Sequence, residues 1–347
     1  MDEEMRNYFR NLLKYFCFLQ QGETLLVKIP GECKKEQEIL RDLVSEFHLQ
    51  GIFFLNTKNY QDIYNFLVGN PSDEEIDDFI KENEFVESKQ YFGIIKVLDF
   101  SLSYVDYYYK QKLYYDIFDL YEQYLNIEEL KNSSFYDKEK LNNKVYGIVP
   151  TKSLATDVTN GDVDMLWNYL FQMVPTEEIE EILTKIGERR NYLNALEIDK
   201  LHFETKKGSN FDIVLSKYSL WNSIGINQFF TNFPSYEIYT SSQMYSMHGK
   251  VIVTKSSNLY GNEVREVSLD FLNGLLVDCS SDNQFWKELI MNDDNRLRRV
   301  GEIALVADSP ISKMNIYTNN ILLDENAGCH IALGSYLDDV VKPCQLK

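Results

Sequence analysis

Basic residues are scarce in this sequence, and their scarcity argues against one large class of function. Among 347 residues, 35 are Lys or Arg and 54 are Asp or Glu, which gives a formal net charge of −19 at pH 7. Nucleic-acid binding needs clustered Lys and Arg to neutralise phosphates, so we expect no nucleic-acid partner. The acidic excess is typical of a self-repelling surface, and also of carboxylates gathered around metal ions. Composition leaves both interpretations open.

Long apolar runs and paired cysteines are also missing. No stretch approaches the ~20 apolar residues of a membrane helix, so we predict no membrane-spanning segment. The opening segment, MDEEMRNYFRNLLKYF, carries acidic residues where a signal peptide carries basic ones. The five cysteines are scattered and include no C-x-x-C pair. This pattern favours reduced thiols in a cytoplasmic protein over a disulfide framework.

Histidine is rare, and its four occurrences differ in their surroundings. His48 lies in a predicted helix and His202 in a predicted strand, so ordinary packing explains both. His248 precedes a glycine at a predicted turn, where it could face a cleft. His330 stands apart because the segment LLDENAGCHIALG places two acidic residues five and six positions before it. That spacing suggests the edge of a metal site.

The first half of the chain alternates predicted helices and strands. We predict a helix over residues 1–21, a strand over 24–29, an amphipathic helix ending near Gly51, and strands in IFFLNT, YFGIIKVLDF and YGIVPTK. Acidic PSDEEIDDFIKENEFVESKQ and tyrosine-rich YVDYYYKQKLYYDIFDLYEQYL are predicted as further helices. This order predicts an α/β domain, a parallel sheet with flanking helices. No glycine-rich loop follows the first strand, so a dinucleotide-binding fingerprint is absent.

The pattern changes after the charged helix predicted in TEEIEEILTKIGERRNYLNAL, which we interpret as a hinge. Short alternating runs separated by Gly, Asn and Ser then predict the strands of a mixed sheet. These runs are KLHFET, FDIVLS, GKVIVTK, EVSLDFLNGLLVD, GEIALVAD and NIYTNNILL. We therefore predict an α/β N-terminal domain over residues 1–185 and an α+β C-terminal domain over residues 186–347.

Three glutamates in the final third occupy apolar or turn-rich segments, where an unpaired charge is costly. They are Glu237 in NFPSYEIYT, Glu302 in GEIALV and Glu325 in LLDENAGCH. Taken singly, Glu302 fits a solvated strand edge and Glu237 a loop. Together with His330 they form an oxygen-rich set that suits a divalent metal. Cys329 could add a thiolate ligand or a nucleophile, although a buried small side chain is the simpler interpretation.

The same segments resemble the aminopeptidase T and aminopeptidase S family of thermophile-type metallo-aminopeptidases. NFPSYEIYTSS is similar to the family's P-T-x-E-V-F-T-x-P signature, and GEIALVADSPIS to its G-E-x-A-L-V…S-P-I segment. LLDENAGCHIALG is similar to D-E-N-A-x-C-H-x-A-L-G. RRNYLNALEIDKLHFETKKGSNFDIVL and QQGETLLVKI resemble further family segments, so the resemblance spans nearly the whole chain.

This resemblance implies a cytoplasmic metallo-aminopeptidase, a hydrolase that acts on peptides with a free N-terminus. It implies a divalent metal, zinc or cobalt, held by Glu237, Glu302, Glu325 and His330, with Glu302 bridging two ions. Two ions held together lower the pKa of a shared water. The resemblance also implies Tyr336 as a catalytic residue, across a one-residue gap in the motif, and a homodimer.

One departure from the family's pattern adds a second hypothesis. The family's closing H-x-D motif, which supplies two further ligands, does not occur in this sequence. The sequence is then either a fragment of a longer protein or a naturally C-terminally shortened homologue, and in the second case we consider a pseudoenzyme that is catalytically impaired or repurposed. Such a protein would bind a peptide or a partner protein without peptidase activity, with its metal absent or with a single ion bound.

Overall fold

A computed structural model describes two compact units of the chain. It describes residues 1–17, 21–22, 24–30, 33–56, 72, 93–97, 144–224, 230–255, 257–259, 262–292, 297–314, 316, 318 and 320–334. Unit 1 comprises Met1–Phe171 and Asn227–Phe233, and unit 2 comprises Gln172–Ile226 and Pro234–Lys347. The helices predicted in the acidic and tyrosine-rich segments of the first half lie outside the described residues.

The elements follow one another in a strand–helix pattern first and in a strand-rich pattern later. In chain order they are α1 (Asp2–Asn11), a π-helical turn (Leu12–Phe16), β1 (Thr24–Pro30), α2 (Lys34–Glu46), β2 (Gln50–Asn56), β3 (Gly93–Val97), β4 (Lys144–Gly147), α3 (Lys152–Thr159), α4 (Val163–Met173), α5 (Ile179–Ala195), β5 (Lys200–Glu204), β6 (Asn210–Val214), β7 (Phe230–Phe233), β8 (Glu237–Thr240), β9 (His248–Ile252), β10 (Ser257–Leu259), β11 (Asn262–Val264), β12 (Ser268–Leu272), β13 (Leu275–Ser280), α6 (Gln284–Asn292), β14 (Val300–Val306), α7 (Pro310–Met314), α8 (Ile321–Asp324), a 3-10 turn (Glu325–Ala327) and β15 (His330–Leu333).

Unit 1 is built on a five-stranded sheet in the order β2-β1-β3-β4-β7. Each neighbouring pair in this sheet is parallel. Parallel neighbours need a long crossover between them, which is what the strand–helix–strand order of the first half supplies. The fifth strand, β7, comes from the second half of the sequence, and no pattern in that half predicted its return to this sheet.

An aromatic cluster fills the core of unit 1. The rings of Tyr8 and Phe9 on α1 pack edge-to-face against Trp167 on α4, and Tyr8 and Phe16 pack likewise against Phe233 on β7. Buried aromatic pairs of this geometry add about 0.5–1.5 kcal/mol each beyond their area. The Tyr8 hydroxyl donates to the carbonyl oxygen of Ile148 at 2.9 Å, so this buried hydroxyl is not left without a hydrogen bond. The tyrosines and phenylalanines of the N-terminal helix are therefore core residues.

Unit 2 contains two antiparallel sheets of three strands or more. One has the order β13-β12-β9-β6-β5, and the other has the order β15-β14-β8. In β6, buried residues alternate with exposed or half-buried ones, as expected for a strand that has one face covered and one face open to solvent. None of the helices among the described residues combines the length and apolar character needed to cross a membrane.

The charged helix α5 belongs to unit 2. Its Asn194 accepts a hydrogen bond from the backbone N–H of Trp221 and donates to the carbonyl oxygen of the same residue. Its buried Arg190 donates to the hydroxyl of Ser223. The first division between the compact units falls between residues 171 and 172, and residues 227–233 return to unit 1. The domain boundary at 185–186 stays a prediction.

The helix predicted over residues 1–21 is confirmed for Asp2–Phe16, as α1 followed by a π-helical turn. Two other local predictions were wrong. NIYTNNILL was predicted as a strand, but Ile321–Asp324 is helical because Asn320 accepts from the Leu322 N–H and thereby begins a helical turn. His248 begins strand β9 instead of occupying a turn.

Candidate metal centre

The three-stranded sheet places three of the predicted ligands on one face. His330 in β15 lies opposite Ala304 in β14, and Glu237 in β8 lies opposite Val306. Residues directly opposite each other share a face of the sheet, and so do residues two apart on one strand. Glu302 and Val306 each lie two residues from Ala304 on β14, so these three positions share one face of the sheet. Glu302, Glu237 opposite Val306 and His330 opposite Ala304 therefore all face the same side.

The ligand atoms of Glu237, Glu302 and His330 converge. One such atom from each residue lies within 4.8 Å of the others, and this is the one group of that kind among the described residues. Nε2 of His330 lies 3.3 Å from Oε2 of Glu237. That oxygen is buried and accepts no well-formed hydrogen bond. A buried carboxylate oxygen in this position needs a cation, and a divalent metal would supply one.

The tautomer of His330 favours metal binding. Its Nδ1 lies 3.1 Å from the carbonyl oxygen of Gly328. A carbonyl oxygen only accepts, so Nδ1 carries the proton and donates, and Nε2 is left facing the two glutamates. Metal-binding histidines commonly fix the ring by such a second hydrogen bond, which leaves the other nitrogen to bind the ion.

Without a metal, His330 takes up a proton. Burial lowers the pKa of His330 and is the largest single influence, but Glu237, the Gly328 carbonyl and the charge of Glu325 together outweigh burial, with Glu237 contributing most. The result raises the pKa of His330 to about 9. An imidazolium here is the simplest cation that the two glutamates can attract, and a metal ion would replace its proton.

A buried asparagine positions the segments that carry the ligands, and the sequence patterns did not single it out. Asn326 accepts from the backbone N–H of Tyr236 at 2.6 Å, next to Glu237. Its side-chain amide donates to the carbonyl oxygens of Pro234 and Leu322. Asn326 therefore joins the approach to Glu237 with the turn that precedes His330. The one sequence feature that could have pointed to Asn326 is its position in the D-E-N-A motif of LLDENAGCHIALG.

The remaining predicted residues have different places. Glu325 lies half-buried in the 3-10 turn and is outside the converging group, although its charge acts on His330. Tyr336 lies outside the described residues. Cys329 is exposed, so its predicted burial was wrong; its sulfur accepts from the backbone N–H of Val306 at 3.4 Å. The helix predicted for His48 ends before it, and His202 lies exposed in β5 as a strand residue.

Comparison with known proteins confirms the resemblance seen in the motifs. A family model described as thermophilic metalloprotease (M29) matches residues 1–344. Aminopeptidase PepS of Streptococcus thermophilus is 33% identical over 187 residues, covering 50% of this chain and 45% of the relative. Aminopeptidase T of Thermus thermophilus is 30% identical over 187 residues, with the same coverage of each chain.

A solved structure, wild-type AmpT from Thermus thermophilus, superposes with a TM-score of 0.77 at 20% sequence identity. The superposition covers 98% of this chain and 87% of the other, so the two share a fold. The chain spans about half the length of the curated relatives it matches in sequence. Since those relatives carry aminopeptidase names, the comparisons give no support to the impaired or repurposed homologue.

Proposed function

The chain belongs to the thermophilic metalloprotease (M29) family, and from that premise we propose that it is a metal-dependent aminopeptidase that removes N-terminal residues from peptides. One observation carries the proposal: Glu237, Glu302 and His330, from three strands, bring their ligand atoms within 4.8 Å of one another. The aminopeptidase names of its sequence relatives support the same reaction class.

The three residues are proposed to hold a divalent ion. Two carboxylates and one imidazole suit zinc or cobalt, and the buried Glu237 oxygen without a good hydrogen bond fits a cation. When bound, such a metal supplies an activated water and polarises a carbonyl. The protein's own part is to hold the ligands: Gly328 fixes the His330 ring, and Asn326 fixes the chain beside Glu237.

The remaining parts of the proposal rest on the resemblance alone. Glu325 is proposed as a further ligand, which requires its side chain to join the converging group when metal binds. Tyr336 is proposed to stabilise the tetrahedral intermediate, and Glu302 to bridge two ions. A homodimer, a cytoplasmic location and a substrate with a free N-terminus complete the proposed assignment.

The test combines metal content with turnover. We expect the purified protein to retain zinc or cobalt, measured by mass spectrometry of the metal, and to hydrolyse a leucine anilide. Glu302→Gln removes one ligand charge and should abolish both properties, whereas Glu204→Gln, an exposed glutamate in β5, should preserve them. Retained metal and unchanged turnover in Glu302→Gln would show that this site is not the catalytic centre.

A further inference from the structure

Unit 2 contains a cleft that none of the three converging ligands lines. Its volume is about 140 Å³. Its wall includes the chain after β8, residues 242–247, the hairpin residue Gly274, and Arg299, Val300 and Gly334 at the strand ends. Drug-sized ligands occupy pockets of about 300 Å³ or more, so this cleft suits one side chain or one chain terminus.

Arg299 gives the cleft its positive charge. Its guanidinium carbon lies 4.7 Å from the centroid of the Tyr245 ring, and one terminal nitrogen donates weakly to the sulfur of Met244 at 3.7 Å. Its Nε is buried and has no hydrogen-bond partner in the described part of the chain. A buried N–H without an acceptor is destabilising, and an anion that enters the cleft would remove that penalty.

Arg299 directly precedes the strand that carries Glu302. β14 begins at Val300, and the backbone carbonyl oxygen of Arg299 accepts a hydrogen bond from the N–H of Gly334, the residue after β15. Glu302 follows Arg299 by three positions, which corresponds to at most about 10 Å at the usual rise per residue of a strand. Arg299 and the converging ligands are therefore close enough for one short peptide to reach both.

We propose that this cleft binds a carboxylate of the peptide substrate through Arg299 while the peptide's N-terminus lies at the metal centre. The inference rests on the proposed aminopeptidase function and names a feature of its substrates. A guanidinium matches a carboxylate with two parallel hydrogen bonds. An extended peptide advances about 3.4 Å per residue, so a carboxylate two or three residues beyond the cut bond spans the distance.

Two sources supply such a carboxylate: the free C-terminus of a short peptide, or an acidic side chain in a longer one. Leu-Gly-Gly, its C-terminal amide and the amide of Leu-Gly-Glu separate them. A preference for Leu-Gly-Gly over its amide identifies the terminus, and a preference for the Leu-Gly-Glu amide over the Leu-Gly-Gly amide identifies the side chain. Measurable and equal turnover of all three peptides would overturn the proposal.

Arg299→Met tests the residue itself. We expect it to lower kcat/KM for the preferred carboxylate peptide by about tenfold to a hundredfold, the usual effect of losing a hydrogen-bonded charge. Turnover of leucine anilide should be unchanged. Arg298→Met removes the same charge from the neighbouring residue, whose Nε donates to the carbonyl oxygen of Leu276, and should retain the preference. Equal losses on peptide and anilide in Arg299→Met would contradict the proposal.

A binding measurement keeps the cleft testable independently of turnover. Calorimetry with N-acetyl-Leu-Gly-Gly and with N-acetyl-Leu-Gly-Glu amide, each against N-acetyl-Leu-Gly-Gly amide, needs no hydrolysis. We expect at least one carboxylate ligand to bind more tightly than the neutral amide to the wild type and no more tightly to Arg299→Lys, which keeps the charge but lacks Nε. If the wild type hydrolyses nothing but shows this difference, the proposed function fails and the cleft assignment stands. Equal binding of all three ligands overturns the cleft assignment.

Discussion

The two larger antiparallel sheets of unit 2 both bring a histidine close to acidic residues of the same sheet, yet the two groups of side chains differ in burial. In the three-stranded sheet, His330 and Glu237 retain 23% and 9% of their side-chain exposure. In the five-stranded sheet, His202 lies opposite Asp212, and Asp212 lies opposite His248. There the side chains of His202 and Asp212 are 53% and 36% exposed. The residue types are alike, and the environments are not.

The difference in partners follows from this difference in exposure. Asp212 accepts hydrogen bonds from Lys200 at 2.8 Å and from His202 at 2.9 Å, so its charge is already balanced at the surface. Glu237 has a buried oxygen, and within the described ranges the nearby His330 imidazole is the one cationic partner that it pairs with. The proposed metal site thus lies at the group that is shielded from water and from lysines, and the exposed group already has a lysine partner. The following predictions test that comparison.

The largest expected effect is the loss of His330. Because His330→Ala removes a ligand and leaves the Glu237 charge buried, we expect metal affinity to fall by at least about a hundredfold, and metal-free stability by about 1–3 kcal/mol. His202→Ala removes a histidine from the exposed row and should change neither quantity. Zinc binding isotherms and chemical unfolding measure both. A similar loss of zinc affinity in His202→Ala would place the metal on the five-stranded sheet and contradict the proposed site.

The next effect is the pH dependence of metal binding. With the pKa of His330 raised to about 9, a metal must displace a proton below that pH. Affinity should therefore rise about tenfold per pH unit well below the pKa, and about fiftyfold in all from pH 7 to pH 9. In the metal-free protein the same pair stabilises the fold fully below pH ~6.5, and this contribution is lost as the pH rises through about 9.

Proton NMR titration of His330, assigned with His330→Asn, checks this pH dependence directly. Glu237→Gln is the informative partner variant, since it removes the main cause of the raised pKa and should return it toward or below the ordinary histidine value. An apparent pKa near 6.5 in the unaltered metal-free protein would show that the Glu237–His330 pair does not form.

A smaller effect is expected where the two sheets' loops meet. Gly274 in the β12–β13 hairpin has φ +76°, and a Cβ there would meet the Tyr245 Cα at 1.9 Å. Gly274→Ala should therefore cost more than about 2 kcal/mol and lower the thermal midpoint by at least about 4 °C. Gly187→Ala lies in α5 with open space around it and should stabilise by about 0.5–1 kcal/mol. Equal midpoints for the two variants would contradict this packing.

The smallest effect is expected at the exposed row. The hydrogen bond from Lys200, followed by that from His202, holds the pKa of Asp212 below its usual range. Lys200→Met should raise the pKa of Asp212 toward the ordinary value, and metal content should not change. Carboxyl carbon NMR of Asp212 and the zinc stoichiometry check the two parts. Gain of a second zinc in Lys200→Met would show that the lysine, and not exposure, prevents metal binding there.

The sequence predicted the ligand-bearing strands better than it predicted how they are arranged. Glu302 and His330 could be singled out because charged groups in apolar runs need partners. The extra residue Gly301 leaves no periodic signal in a seven-residue strand. The joining role of Asn326 depends on contacts to residues up to 92 positions away. Local patterns carry no information about such pairings.

The same limit explains the errors in the fold. β7 pairs with β4, which precedes it by more than eighty residues, so its membership of the parallel sheet is a tertiary property. The run NIYTNNILL has strand-like composition, but the capping of Leu322 by Asn320 selects a helical turn. Side-chain capping and long-range pairing overrode local propensity in both cases.

Crystals soaked in zinc, with diffraction collected on both sides of the zinc absorption edge, test the central claim most directly. We expect an anomalous peak bounded by Glu237, Glu302 and His330. A peak at His202, Asp212 and His248 instead, or no peak at the three-stranded sheet with zinc in excess, would contradict it.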